Sequence, residues 1–332
     1  MTNFYPSNLQ WVGLAKETTY GTAVATPTIW VPVDSPKYKA IITPLKDKNL
    51  RGSMAATYQQ QQGMRHDELQ YKTYFYLDSI YPHFLAMMGN PDAVTGTGDP
   101  YVHTTSLYNG SGTNSAQPPS YTLFWADGAG KVQQMPGAII SDLKISHGAD
   151  QLASLDISWV ALPATTITPP TNTPSAVKPM PSWNSTVTIG GTASSKYSSI
   201  EIAFKRATEV IPTITGTQTP FAIFGGPLDI TGSFTGVFQN ATSDTDWTNY
   251  LVNTQPAMVV QTAPPGESSP SHFIQIQMSQ VAYDAVEVSG TNKWQEVKTT
   301  LQAIANTTDT TSGGGAFSPA KIVMQSSVST AY

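Results

Sequence analysis

The residues that usually carry enzyme or metal chemistry are scarce in this chain, and their spacing is unfavourable. The chain contains no cysteine, which rules out a disulfide framework, a thiol nucleophile and a thiolate metal site. Its five histidines include no pair at the close spacing that is typical of metal ligands. We therefore expect a protein that binds no metal and needs no cofactor.

Three short patterns resemble catalytic or phosphate-binding motifs, and each is better explained as structure. The Gly-Ala-Gly-Lys segment at 128–131 lacks the spacing and the following helix of a phosphate-binding loop, which favours a hairpin turn. Ser141 and Lys144 have Ser-x-x-Lys spacing, but they lie in an alternating strand instead of the helix that this chemistry requires. Asp244 and Asp246 stand at a predicted helix start, where capping of amide groups is favoured over acid–base work. The sequence thus predicts that the protein is not an enzyme.

The composition is typical of a surface in permanent contact with other protein. Only 12% of the 332 residues are charged, and 17 Lys and Arg against 22 Asp and Glu give a formal net charge of -5. This balance argues against a nucleic-acid-binding protein, because such binding depends on counterion release by cationic side chains. The sequence has neither an apolar run of about 18 residues nor an export-type leader. We expect no membrane contact and synthesis in the cytoplasm.

A periodicity of two in the apolar residues predicts a mainly β protein. Leu155, Ile157 and Trp159 alternate with polar residues, as half-buried antiparallel strands do. Similar alternation predicts further strands within 69–75, 200–204, 228–238, 274–278 and 297–301. Trp159, Trp247 and Trp294 fall on the apolar side of their elements, so we expect them in the core.

Two short helices interrupt the predicted strands. We expect Asp78 to cap a helix over 79–88, which Gly89 would end. Ser243 and Asp246 stand in capping-box spacing and predict the start of the second helix. Because each helix follows a strand, both are expected to flank the sheets.

The order of elements is similar on the two sides of a Pro- and Thr-rich stretch, which favours an internal duplication. Each side contains strand, strand, helix, strand and a long hairpin, at 138–161 and at 272–303. A single large sandwich interrupted by a loop is the alternative, since residue identities between the halves are weak. The expected division is a first module with an N-terminal arm at 1–162, a linker at 163–183, a second module at 184–306, and a C-terminal tail at 307–332 that orders only against a neighbour.

The segment 47–67 is long, polar and poor in apolar residues that could pack on its own module. One interpretation is a mobile loop. The other is a protruding arm whose glutamine amides, which both donate and accept hydrogen bonds, are satisfied by a neighbouring subunit. The residues expected to make such stacking contacts are Arg51, Tyr58, Gln59, Gln60, Gln61, Gln62 and Arg65.

Several segments together suggest a family. They are Trp-Val-Gly-Leu-Ala-Lys-Glu-Thr-Thr-Tyr-Gly-Thr-Ala-Val-Ala-Thr-Pro at 11–27, Pro-Val at 32–33, Arg-Gly-Ser at 51–53 and Ile-Tyr-Pro-His-Phe-Leu-Ala-Met-Met-Gly at 80–89. In this order they resemble the tail tube proteins of long-tailed bacteriophages. The resemblance continues through 137–161 and, more loosely, through 200–305, so it covers most of the chain. The linker and the region 95–119 depart from simpler family members.

The resemblance implies antiparallel β-sandwich or barrel modules with short flanking helices that join sideways and close an oligomeric β-barrel ring around a channel. With two modules a chain, three chains would form a pseudo-sixfold ring, which is favoured; with one module, six chains would be needed. Stacked rings would form the virion tail tube, assembled in the host cytoplasm, that conducts viral DNA during ejection. The implied partners are further copies of the chain, a tape measure protein, and tail terminator and tip proteins.

A passive channel would need a wall that does not hold phosphate groups, so we expect a net negative potential inside the ring. Asp142, Asp156, Glu201 and Asp229 lie on the polar side of their strands and are the candidate lumen acids. The same positions are equally compatible with an outer, solvent-facing surface.

Two other functions remain open from the sequence alone. A baseplate or decoration protein of a phage would share this composition. A carbohydrate-binding β-sandwich would use exposed aromatic rings as stacking platforms, and it is less favoured because the tryptophans are expected in the core.

Overall fold

The structure, a computed structural model, describes residues 4–110, 116–266, 271–290 and 293–332, and antiparallel strands dominate it. The strands are β1 (Trp11–Lys16), β2 (Ile29–Val31), β3 (Asp34–Asp47), β4 (Gln59–Tyr74), β5 (Ala93–Thr95), β6 (Tyr101–Ser106), β7 (Tyr121–Ala126), β8 (Val132–Gly148), β9 (Ser154–Ala161), β10 (Thr165–Ile167), β11 (Ser185–Ile189), β12 (Thr192–Ser194), β13 (Tyr197–Ile211), β14 (Ala222–Val237), β15 (Met258–Thr262), β16 (Phe273–Met278), β17 (Val281–Gly290), β18 (Gln295–Ala303) and β19 (Lys321–Ser326). The described residues contain two short α-helices, α1 (Tyr81–Met88) and α2 (Thr245–Val252). The prediction of a mainly β chain is confirmed.

Eight of these strands form one continuous antiparallel surface, in the order β3-β4-β9-β8-β13-β14-β18-β17, which we call the central sheet. Its inner face is apolar because alternate residues such as Leu69, Trp159, Phe204 and Phe234 are buried. The intervening residues form a polar outer face. The predicted alternation of Leu155, Ile157 and Trp159 is thus confirmed, and it decides which face is covered.

The remaining strands pack over the inner face. β2, β1 and β7 continue from the first part of β8, on which β10 also pairs. A second sheet has the order β12-β11-β15-β16-β19-β6-β5. One hydrophobic cluster joins this sheet, the central sheet and α1, as shown by the buried Phe84, Phe204 and Ile276. The core therefore runs across both halves of the chain.

The pairing scheme of the first half occurs again in the second. β3 pairs with β4, β4 with β9 and β9 with β8, just as β13 pairs with β14, β14 with β18 and β18 with β17. Two register shifts also fall at matching places in the two halves. In the long hairpins, the shift at Ile42/Pro44 matches the shift at Arg206/Thr208. In the hairpins that follow, the shift at Ile140/Asp142 matches the shift at Tyr283/Ala285. These shifts give a residue-by-residue correspondence between the two halves.

A glycine stands at the same place in each long hairpin, beside the register shift. A Cβ atom on Gly63 would lie 2.8 Å from the carbonyl oxygen of Thr43, and one on Gly226 would lie 2.6 Å from that of Ala207. Because the two backbones approach this closely, no larger residue fits at either position without movement. The two hairpins share this local constraint although their sequences differ.

The start of α1 differs from the prediction. Ile80 is the N-cap residue and makes no side-chain capping bond, so the expected role of Asp78 is wrong. Pro82 lies in the first turn, where a missing N–H costs nothing. Gly89 ends the helix with φ at 89°, as expected. All of α1 is buried, and in this apolar surrounding a charged cap would have to be desolvated.

The start of α2 also differs from the prediction. Asp244 is the N-cap, and its carboxylate accepts hydrogen bonds from the backbone N–H groups of Asp246 and Trp247. The expected capping box of Ser243 and Asp246 is therefore wrong. The capping role of Asp244 itself agrees with the prediction, whereas Asp246 points into a buried network that is described below.

Three further expectations are corrected by the packing. The segment 307–332 does not wait for a neighbour, because β19 lies between β16 and β6 of its own chain. Tyr332 completes this contact by packing its ring against Tyr81 and His103. Trp294 is 50% exposed, so it is not a core residue. The stretch 163–183 contains β10, which pairs with β8.

Candidate assembly interface

The four candidate acids lie together on the polar outer face of the central sheet. Lys144 lies two residues from Asp142 on β8 and opposite Asp156 on β9, and it forms an ion pair of 2.9 Å with Glu201. Asp229 lies further along the same face and accepts a hydrogen bond of 3.0 Å from the side-chain amide of Gln302. Tertiary structure therefore gathers residues that are up to 87 positions apart, from Asp142 to Asp229, onto one surface.

Cationic side chains on this face are matched by carboxylates across the strands. Lys205 stands opposite Asp142 on one side and Asp229 on the other. Asp156 is likewise opposite both Lys72 and Lys144. Partial burial raises the pKa of Asp142, while the neighbouring lysines oppose that rise. The face therefore offers few cations that are free to hold an external phosphate.

More pairs continue the same arrangement toward both edges of the sheet. Lys39 stands opposite Glu68, and Lys298 stands opposite Glu287. Ser, Thr and Gln side chains occupy much of the remaining outer face, including Gln70, Ser158, Thr231, Ser233, Thr300 and Gln302. The outer face is consequently polar without carrying a strong charge of one sign.

The segment 47–67 is a strand-rich arm and not a long loop, which corrects one interpretation of the sequence. Only residues 48–58 connect β3 to β4. Backbone pairing joins Asp47, Lys46, Leu45 and Pro44 to Gln59, Gln60, Gln61 and Gln62. The arm is exposed on both faces, and the side chains of Leu50 and Met54 at its tip are almost fully exposed.

Some of the predicted stacking residues already have partners within the arm. Arg51 forms an ion pair with Asp47, and its guanidinium lies 5.1 Å from the centre of the Tyr58 ring. The hydroxyl groups of Tyr58 and Ser53 are 3.1 Å apart. These contacts stabilise the tip of the arm, so Arg51 and Tyr58 shape the surface that a neighbour would meet.

Arg65 lies away from the tip, in a pair with a buried acid. Its guanidinium donates to Asp67 at 2.8 Å and to the hydroxyl of Tyr38 at 3.1 Å. Burial and the hydrogen bond to Asp67 raise the pKa of Tyr38 to about 12. The backbone N–H of Arg65 also donates to the carbonyl of Gln218, from the second long hairpin. Arg65 is thus committed to its own chain.

The two ends of the central sheet are strands with one open side. β3 pairs only with β4, and β17 pairs only with β18, among the residues that the structure describes. An open edge presents unpaired N–H and C=O groups, which invite pairing with another strand. β3 corresponds to β13 and β17 corresponds to β8, and these two counterparts pair with each other in the middle of the sheet.

The contact between β8 and β13 is an internal joint between the two halves. Leu143 stands opposite Phe204, and Ile145 stands opposite Ile202. These four side chains are buried. Next to the paired residues of β13, the buried Arg206 donates to the carbonyl oxygen of Met87 near the C-terminal end of α1, with its Nη2 atom at 2.6 Å. A favourable contact between a cation and a helix C-terminus therefore reinforces the joint.

Sequence reasoning missed the buried ionic cluster beside α2. The ammonium of Lys196 lies 2.8 Å from Asp244 and 2.9 Å from Asp246. The hydroxyl groups of Tyr197 and Tyr283 donate to Asp246. Burial and the charge of Asp246 raise the pKa of both tyrosines. The pair of aspartates was visible in the sequence, but the distant lysine and tyrosines were not.

Glu17 is a second polar centre that the sequence did not reveal, inside the N-terminal segment 11–27. Its carboxylate accepts hydrogen bonds from the hydroxyls of Ser120 and Thr122 and from the backbone N–H groups of Gly21 and Gly137. One side chain thus holds the segment after β1 against β7 and β8. The signal was a lone acid directly after an apolar strand.

The described part of the chain contains no group of three metal-ligating side chains and no helix long and apolar enough to cross a membrane. What distinguishes it is a polar sheet face, two open edges of matching type, and a protruding arm. These are features of a protein that assembles with copies of itself.

Comparison with known proteins agrees with this class. The model of the phage tail tube protein family matches residues 7–293. The chain therefore belongs to the phage tail tube family and is a structural protein of the phage tail, as the order of its motifs predicted. A search of curated proteins finds no match to it.

Proposed function

We propose that three copies of this chain close into a ring of six similar modules, and that such rings stack into the tube through which viral DNA leaves the virion. The observation that carries the proposal is the composition of the central sheet from two four-strand units of the same order. Their internal joint uses β8 and β13, and the open edges are the corresponding strands β17 and β3. Repeating this joint from chain to chain would cover both edges of the central sheet.

Matching irregularities support two modules a chain over one large sandwich. Two different register shifts occur at corresponding places, and Gly63 and Gly226 meet the same backbone constraint. An unrelated sandwich has no reason to reproduce these details. With two modules in each chain, three chains supply the six modules that one-module subunits would supply as a hexamer.

The polar outer face of the central sheet would line the channel. Its lysines are paired with acids such as Asp142, Asp156 and Asp229, so a passing phosphate backbone would find little that retains it. The overall charge of -5 adds weak repulsion. The net negative lumen and the inward orientation of Glu201 and the other acids remain predictions of this proposal.

The arm formed by β3 and β4 would connect one ring to the next. Gln59, Gln60, Gln61 and Gln62 offer amide groups along an exposed strand, and the apolar tip residues Leu50 and Met54 could be covered by a neighbouring ring. A tape measure protein inside the tube, and terminator and tip proteins at its ends, would be the other partners. Assembly would take place in the host cytoplasm.

Electron microscopy and native mass spectrometry of the purified, concentrated protein test the ring. We expect hollow rings or tubes whose smallest closed unit contains three chains. A ring of six chains would overturn the proposed duplication while keeping the tube. A protein that remains monomeric at high concentration would overturn the proposed function as a whole.

Shortening the arm tests its role in stacking. Replacing residues 47–59 with Asn-Gly would join Lys46 to Gln60, which stand opposite each other, by a two-residue hairpin turn. We expect the free energy of unfolding to change by less than about 0.5 kcal/mol, because the removed part is exposed. Rings should still form but should no longer stack into tubes in electron micrographs. Normal tubes from this variant would show that the arm is dispensable.

A further inference from the structure

The correspondence between the halves specifies how the two open edges would meet. We infer that β17 of one copy pairs with β3 of the next in the register of the internal joint, and that an ion pair of reversed polarity, Lys37 with Glu287, selects this joint. The inference rests on the proposed ring and adds the residues that make the joint specific. Register shifts, charges and exposed apolar residues support it.

We identify the corresponding residues from one register shift in each long hairpin and one in each following hairpin. The shift between Ile140 and Asp142 matches that between Tyr283 and Ala285, so Lys144 corresponds to Glu287. In the long hairpins, Ile42/Pro44 matches Arg206/Thr208, and counting back along each strand makes Glu201 correspond to Lys37.

Transferring the register of the internal joint predicts the pairs between copies. Leu143 opposite Phe204 becomes Val286 opposite Ala40, and Ile145 opposite Ile202 becomes Val288 opposite Tyr38. In a single chain Val286, Val288 and Tyr38 are only partly buried. The joint would cover them and continue the apolar inner face from one copy to the next.

The polar side of the joint carries the specificity. Inside the chain, Lys144 on the first strand pairs with Glu201 on the second at 2.9 Å. Between copies, the first strand would bring Glu287 and the second Lys37. Among the described residues neither Glu287 nor Lys37 lies within ion-pair distance of an opposite charge, although Lys298 stands opposite Glu287, and both are exposed. The corresponding pair is therefore available with its charges exchanged.

Exchange of the charges would disfavour the incorrect joints. Pairing β17 with β13 would place Glu287 beside Glu201, and pairing β8 with β3 would place Lys144 beside Lys37. Like charges on neighbouring strands are repulsive, whereas both correct joints place opposite charges together. The same strand pairing would thus occur twice, as β8 with β13 within a chain and as β17 with β3 between chains. The exchanged charges would keep the two joints from being confused.

The contact at the end of α1 also has a counterpart at the end of α2, with apolar residues in place of polar ones. Met87 near the end of α1 accepts hydrogen bonds from Arg206. Both helices have eight residues, so Leu251 corresponds to Met87, and the residue corresponding to Arg206 is Ile42. Leu251 is 62% exposed in the single chain. Its contact with Ile42 of the next copy would replace the polar contact by an apolar one.

Disulfide cross-linking tests the register, because the chain has no cysteine of its own. In the inferred register Glu287 stands opposite Lys39, so a Lys39→Cys/Glu287→Cys variant should oxidise into covalently closed rings. The control Lys39→Cys/Ala285→Cys is two residues out of register and should cross-link far less. Cross-linking of the control in preference would overturn the inferred register.

The cross-linking outcomes also separate this inference from the proposed function. If rings appear in micrographs but neither cysteine pair cross-links, the ring stands and the joint is wrong. If the unmodified chain forms no rings, both the proposed function and this inference fail.

Charge exchange tests the ion pair. Lys37→Glu and Glu287→Lys should each raise the concentration needed for ring assembly by about 2- to 5-fold, the range expected for one cross-strand pair. The double variant should recover part of the lost assembly but not all of it, because Lys39 and Lys298 also face position 287. Lys178→Glu, which alters the same charge at an exposed position in the stretch 163–183, should have no effect. Failure of the double variant to recover would overturn the role of the pair.

Discussion

The two helices occupy equivalent places in the two halves, yet one is enclosed and the other is open. Every residue of α1 is buried, whereas Asp246 is the buried residue of α2, and Leu251 and Val252 are exposed. The end of α1 is covered by the second half of the same chain through Arg206. Among the residues that the structure describes, no such neighbour covers the end of α2. In the proposed ring, this exposed end of α2 would be covered by another copy.

The two halves also hold their helices by different chemistry. α1 is packed among apolar side chains, with the buried His83 hydrogen-bonded to the hydroxyl of Tyr71 at 3.0 Å. α2 depends on the cluster of Lys196 with two aspartates. A helix that is open to solvent on one side buries less apolar area, so directional ionic contacts take a larger share in positioning it.

Removing the centre of the ionic cluster should have the largest effect. Asp246→Ala would leave the hydroxyls of Tyr197 and Tyr283 without their acceptor and remove one of two partners of Lys196. We expect a loss of about 3–5 kcal/mol in the free energy of unfolding, measured with urea. Asp150→Ala, at an exposed turn, should change it by less than about 0.5 kcal/mol. Equal effects would contradict the assigned role of the cluster.

Acid should destabilise the folded protein through its buried histidines. Burial lowers the pKa of His83 and His147 to about 4, below the ordinary value of 6.5. Between these values the unfolded chain binds protons that the folded chain excludes, so stability falls as the pH drops from 6.5 to 4. Each histidine contributes on the order of 3 kcal/mol to this loss. Urea unfolding of His83→Gln and His147→Gln should show a smaller dependence on pH.

One histidine should act in the opposite direction. Burial of His103 disfavours its charge, but the hydrogen bond to Asp92 and the charge of that acid together outweigh this and raise its pKa. Its contribution is present below pH 6.5 and is lost as the pH rises through the raised pKa. Urea unfolding of His103→Gln tests this expectation together with the two variants above. If the pH dependence of stability were the same in all three variants as in the original protein, both assignments would be contradicted.

Removing the hydrogen bonds of Arg206 to the end of α1 should have a smaller effect on stability. It also tests whether the internal joint and the open edge are equivalent. Arg206→Met would keep much of the side-chain volume but leave the carbonyls of Met87 and Gly226 without their donor. We expect a loss of about 1–3 kcal/mol in the free energy of unfolding. Ile42→Ser, at the corresponding place of the open edge, should leave the monomer unchanged and weaken ring assembly. The reverse pattern would show that the two positions are not equivalent.

Local sequence patterns were sufficient to predict most strands of the central sheet and the family. The alternation of Leu155, Ile157 and Trp159 with polar residues predicts which face of the strand is buried. This prediction does not depend on which element covers that face. The arm at 47–67 lacks this signal, because it is exposed on both sides and no alternation marks its strands.

The contacts between distant residues, by contrast, depend on the tertiary structure. Three such contacts join residues that are far apart in the chain. They are the ion pair of Lys196 with Asp246, the hydrogen bond of Arg206 to the end of α1, and the pairing of β19 with β16 and β6. Local patterns carry no information about such pairs, because a strand of given alternation pairs equally well with many others. Register, charge and the close approach of backbones at Gly63 and Gly226 select among them, and these act only once the strands lie side by side.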